Sequence, residues 1–155
     1  MDVKHLLLLL SAMILPACAT TSEVPQNSEK STAQSNGLSP KTLAAGDCGL
    51  FVWTSHAQKQ FVLFSKSQNE TAAWLSPKGE VSLTSKSRRG DATQGQFPSQ
   101  VFISENYGEL KLNLRDLQSI SDGTRYRSGT LTVDSEEGWS RVISVVGLSV
   151  CKPVN

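Results

Sequence analysis

The sequence predicts an all-β domain: a small antiparallel barrel or sandwich of about eight strands, closed by one disulfide. Three observations predict it. From about Ala45 onward, apolar runs of strand length alternate with turn residues; the clearest run alternates strictly between apolar and polar; and two cysteines bracket the first and last runs. None of these runs is long enough, or spaced at 3.6 residues, to argue for a helix.

Leu50 to Thr54 (LFVWT) and Phe61 to Ser65 (FVLFS) come first, with the polar turn "SHAQK" between them. Thr71 to Leu75 (TAAWL) and Glu80 to Thr84 (EVSLT) flank Ser76-Pro77-Lys78-Gly79, where the proline presets φ and Gly suits the end of a type I turn. Lys86 to Phe97, "KSRRGDATQGQF", is the longest polar interruption and reads as a loop. Gln100 to Ser104 (QVFIS) and Glu109 to Arg115 (ELKLNLR) enclose a second hairpin loop, Glu105-Asn106-Tyr107-Gly108.

In ELKLNLR, Leu110, Leu112 and Leu114 alternate with Lys111, Asn113 and Arg115, as in a strand with one dry face. Thr130 to Val133 repeats the pattern, and Trp139 to Cys151 is the final run. Residues 45–155 make one domain with a single core, of a size where a covalent clasp is useful. That many strands in this length favours a barrel. In an exported chain Cys48 and Cys151 are expected to pair, which sets the first and last strands side by side as closure requires.

Before the domain stand a targeting segment and a tether. Lys4 and His5 precede an apolar run from Leu6 to Leu15. At about ten residues it is far short of the roughly 20 needed to span a bilayer, and it ends in small residues as a cleaved signal does. Residues 1–17 therefore read as a signal peptide. Residues 18–44 read as a lipidated Cys18 and a disordered leash, because "TTSEVPQNSEKSTAQSNGLSPK" (20–41) holds too little apolar surface to offset the entropy of ordering it. Coil statistics give that leash a reach on the order of 25 Å.

Leu15-Pro16-Ala17-Cys18 resembles the lipobox of bacterial lipoproteins. The resemblance implies a lipidated, N-terminal Cys18 and the membrane as a partner, each buried CH₂ contributing about 0.8 kcal/mol. Ala19 after the cysteine resembles the outer-membrane sorting pattern of enteric bacteria, which implies an outer-membrane protein facing the periplasm. The competing reading takes Ala17-Cys18-Ala19 as an A-x-A site, which leaves a soluble periplasmic domain. The chain has three cysteines, and either cut removes the odd one.

Catalytic signals are sparse. His56 is the one histidine left after export, Cys48 serves as half of a disulfide, and Glu136 and Glu137 are neighbours in a turn. Cysteine pairs or histidines at ligand spacing and acidic calcium-type loops do not occur. The expectation is a non-enzymatic chain with no catalytic residue, metal or cofactor. A net charge of +1 gives no reason to expect nucleic acid as a partner. Lys86, Arg88 and Arg89 form a candidate basic loop for an anionic surface, such as lipid head groups or an envelope polymer, and Arg125 and Arg127 flank Tyr126 in what reads as another loop. Trp53, Trp74 and Trp139 read as core or rim packing.

Two further resemblances concern the domain. "CGLFVW" (48–53) and "GTLTVDSEEGWSRVISVVGLSVC" (129–151) look like the terminal blocks of small exported bacterial proteins of unknown function, which implies the architecture and no activity. "SDGTRYRSGTLTV" resembles the loop of membrane-bound inhibitors of c-type lysozyme at Gly123, Tyr126 and Gly129, and departs from it at Asp122, Asp134 and Glu136. That likeness implies an Asp122 to Tyr126 loop, with Gly123, Arg125 and Tyr126, presented to an enzyme cleft. The reading that covers the whole chain is a bacterial cell-envelope lipoprotein that binds or scaffolds, with an envelope protein or polymer as partner.

Overall fold

A computed structural model describes residues 37–135 and 137–154. Cys18, the signal segment and most of the leash lie outside the described residues. Eight strands follow one another: β1 (Cys48–Thr54), β2 (Phe61–Lys66), β3 (Thr71–Ser76), β4 (Gly79–Arg89), β5 (Ser99–Ser104), β6 (Gly108–Ile120), β7 (Gly123–Asp134) and β8 (Ser140–Cys151). Each pairs antiparallel with the next, and β8 returns to β1, so the sheet is a closed barrel rather than a sandwich. Closure removes the unpaired edges that an open sheet would expose.

The β1–β8 seam is in register from Cys48↔Cys151 to Thr54↔Val145, and the two cysteines are disulfide-bonded across it. Inside, period two sorts the side chains. Leu50, Val52, Leu63, Leu83, Phe102, Leu110, Leu112, Leu131 and Val145 are each at most 1% exposed and fill the middle of the barrel. Leu110, Leu112 and Leu114 point inward as their alternation predicts.

Three register shifts bend the walls: at Val52/Trp53, at Ser85/Ser87 and between Tyr126 and Thr130. Bulges of this kind let a strand change which residues face inward without leaving the sheet. The last one keeps both Tyr126 and Leu131 inside although they lie an odd number of positions apart.

The two ends of the barrel differ. At the Cys48 end, the loop between β4 and β5 folds over the opening as a plug. Gln94 (φ 53°) and Gly95 (φ 73°) form a tight turn between bridged Thr93 and Gln96, the positive-φ pair that a type I′ turn requires. Gln96, 2% exposed, donates from its side chain to the Ser65 carbonyl at 3.2 Å and to Ser67 Oγ at 3.0 Å. The opposite end, where β1, β3, β5 and β7 finish, stays open.

The outer wall carries Phe51 in ring contact with Trp53, Phe61 and Phe64, and Trp53 with Phe61, with centroids 4.9 to 6.1 Å apart. The stretch before β1 lies along it. Leu38 is 6% exposed and donates its N–H to the Phe61 carbonyl at 2.8 Å, and Lys41 pairs with Glu80. This corrects the leash boundary: residues 37–44 belong to the folded unit, because Leu38 and Leu43 find an aromatic surface to cover. A Cβ on Gly49 would stand 2.9 Å from Leu43 Cδ2, which marks how closely the strap sits.

Candidate functional site: the barrel mouth

The open end is a cavity of about 700 Å³, within the range of small-molecule sites. Its walls are the last turns of the strands and its rim is four connections of unequal length. The longest, after β1, is pinned at its base, where Thr54 N–H donates to the Gln60 carbonyl (2.9 Å) and Gln60 N–H to Thr54 Oγ1 (3.0 Å). The Pro77-Lys78 turn is capped by Ser76, whose hydroxyl donates to the Gly79 carbonyl (2.8 Å) and accepts from Lys78 N–H (3.1 Å). Gly108 (φ 69°) ends the β5–β6 loop, and a Cβ there would meet the Asp134 carbonyl at 2.7 Å.

The floor of the cavity is apolar: Val62, Val133 and Ile143 surround Trp74. Tyr107 stands edge-on to the Trp74 ring, with centroids 5.1 Å apart and planes at 86°, the T-shaped pairing that ring quadrupoles favour. Polar and charged groups gather at the rim, where His56, Lys78, Glu137 and Arg141 are exposed. Trp139, 52% exposed, also stands there and donates its indole N–H to Glu137 Oε2 at 3.2 Å. The Trp74 indole nitrogen and the Ser135 hydroxyl are buried without a hydrogen-bond partner among the described residues.

The candidate binding residues from the sequence lie elsewhere. Lys86, Arg88 and Arg89 are not a loop but the end of β4, and two of the three are engaged: Lys86 pairs with Glu109, and Arg88 donates to the Asn69 carbonyl. Strand pairing with β5 continues through them because the shift at Ser85/Ser87 absorbs the broken alternation. Gly123, Arg125 and Tyr126 are likewise in a strand, β7, after a turn of only Ser121-Asp122. Tyr126 is fully buried in the barrel with Thr124, while Arg125 and Arg127 face out. Among the described residues the Tyr126 hydroxyl has no partner in hydrogen-bonding geometry, and burial pushes its pKa up, offset only partly by the nearby Thr93 side chain. Gly123 is required by packing: a Cβ would fall 2.1 Å from the Ser149 carbonyl oxygen.

Arg125 and Arg127 do meet Lys59 and Trp53 in a shallow outer-wall groove of about 560 Å³. His56 stands at the exposed rim of the mouth. Among the described residues, no three His, Cys, Asp or Glu side chains stand close enough to hold a metal ion. Sequence reasoning missed the mouth itself. Trp74 was legible as an inward residue of "TAAWLS", alternating with Ala72 and Ser76, but its meeting with Tyr107 and Ser135 depends on closure of the sheet. No family model, curated protein or solved structure matches this chain.

Proposed function

We propose that this chain is a non-enzymatic binding module of the bacterial cell envelope, tethered by lipid on Cys18, and that the barrel mouth is its binding site. The observation that carries the site is the apolar, Trp74-floored cavity under a polar rim. An eight-stranded barrel has an interior just wide enough either to be filled by side chains or to hold one small ligand. This one is filled in the middle and hollow at one end. The lipobox-like Leu15-Pro16-Ala17-Cys18 supports the tether, and a disulfide between Cys48 and Cys151 suits an oxidising compartment.

Inhibition of c-type lysozyme by the Asp122 to Tyr126 stretch is the weaker reading, since Gly123, Thr124 and Tyr126 are buried. One preparation tests the proposal on two counts. Protein recovered from its own membrane fraction is expected to carry an acylated Cys18 by peptide mass and to retain a small molecule in native mass spectrometry. A chain starting at Thr20 would remove the tether, and a protein that takes up no small molecule would remove the site.

A further inference from the structure

The mouth contains two buried polar atoms that its own walls leave unanswered. Trp74 Nε1 comes from β3 and Ser135 Oγ from the segment after β7, and neither has a partner among the described residues. Trp74 is 3% exposed. Native proteins rarely leave buried donors unpaired, and each such case asks for an explanation. The hydroxyls of Thr54 and Ser76 in the same wall are already engaged by neighbouring backbone. The cavity therefore has an apolar surface with two unanswered polar atoms in its walls, both buried.

Charge narrows the class further. His56, Lys78, Glu137 and Arg141 are all at the exposed rim and of mixed sign, while the floor is Val62, Trp74, Val133 and Ile143. A charged group on that floor would lose its water, and none of the four floor residues carries a charge to offset the loss.

We infer that the mouth takes an uncharged, largely apolar ring molecule bearing a hydrogen-bond acceptor such as a carbonyl oxygen, received by Trp74 Nε1 and Ser135 Oγ. The inference rests on reading the mouth as the binding site. Tyr107, on the short β5–β6 loop and edge-on to the indole, is the side chain whose movement admits the acceptor.

Two dyes of similar shape test it: 6-propionyl-2-dimethylaminonaphthalene, which has a carbonyl, and 2-dimethylaminonaphthalene, which lacks it. Each is titrated into the full chain carrying Cys18→Ser, so that no acyl chain competes for the dye. Both are expected to bind saturably, the carbonyl dye about tenfold more tightly. Trp74→Phe keeps the aromatic floor and removes the donor; it should weaken the carbonyl dye about three- to tenfold and leave the other unchanged. Ser135→Ala, outside the strands, should act in the same direction if Trp74→Phe disturbs folding. Saturation by neither dye would overturn both the inference and the mouth as a binding site. Equal affinities with equal losses would overturn the inference alone, leave the site standing, and assign the two donors to buried water.

Discussion

Cys48 and Cys151 are direct partners in the β1–β8 ladder, their Cα atoms 3.9 Å apart, so the disulfide lies across the seam where the first strand meets the last. The bond spans 103 positions of chain. Loop-closure entropy assigns about 4.7 kcal/mol to a loop of roughly that length. Reduction is expected to lower the Tm by roughly 10 to 20 °C, measured by thermal melting with and without reductant. An unchanged Tm would show that strand pairing alone holds the seam.

Tyr126 fills the barrel with its ring, while its hydroxyl has no hydrogen-bond partner among the described residues. Tyr126→Phe is therefore expected to be neutral or stabilising by up to about 1 kcal/mol. Its raised pKa means the folded state holds the neutral phenol. That contribution is complete below the unfolded value of 10.0 and is lost as pH rises through the folded one. Alkaline unfolding followed by circular dichroism should move to higher pH in Tyr126→Phe; a shift to lower pH would contradict the burial.

Gly123 and Ser149 approach too closely for any side chain at residue 123. Gly123→Ala should part β7 from β8 and cost about 3 kcal/mol or more. Urea unfolding measures this, and a loss under about 0.5 kcal/mol, the scale of an ordinary surface change, would refute the packing role.

Acid should unfold the barrel through its outer-wall carboxylates. Hydrogen bonds from Lys111 and then Ser140 hold the Asp134 carboxyl below its ordinary value of 3.8, and Lys86 does the same for Glu109 from 4.5. The Lys66 side chain likewise lowers Asp47. Folding favours the charged form in each case, so this stability is present above the unfolded values and is lost as pH falls through the depressed folded ones. On the basic side, Asp134 raises the pKa of Lys111, whose share lasts below 10.5 and is lost above the folded value. The Tm should be level near neutrality and fall below about pH 4.5, less steeply in Asp134→Asn. Because these groups are only partly buried, 1 M salt should shrink the difference between the two proteins.

Leu38 sits under 6% exposure against an aromatic wall. Leu38→Ala should cost about 2 kcal/mol and increase binding of a hydrophobic dye to the outer wall. A variant with unchanged stability would return residues 37–44 to the leash.

The strands were readable where one face is dry and the other wet, as in ELKLNLR, because period two then survives in the sequence. β6 runs further than its apolar run, since its far end, Asp116 to Ile120, is mostly exposed, and β4 runs on through the polar residues Ser85 to Arg89. Thr124-Arg125-Tyr126-Arg127 does alternate in burial, yet its neighbouring glycines and charges give it the composition of a loop. Leu38 and Leu43 are two apolar residues in a polar stretch, and nothing local reveals that an aromatic surface awaits them. The mouth is harder still: its floor joins β2, β3, β7 and β8, and which residues converge there follows from closure and from three bulges rather than from any local pattern.

The strap along the outer wall also decides how the domain can be handled. Gly37 lies beside Phe61, where β2 begins at the open end, whereas Cys151 and Lys152 lie at the plugged end. A fluorophore or fusion partner joined just ahead of Gly37 would crowd the opening, and the same group placed after Val154 would leave it clear. Surface immobilisation through the tail would present the cavity to solution; immobilisation through the strap would turn it toward the support.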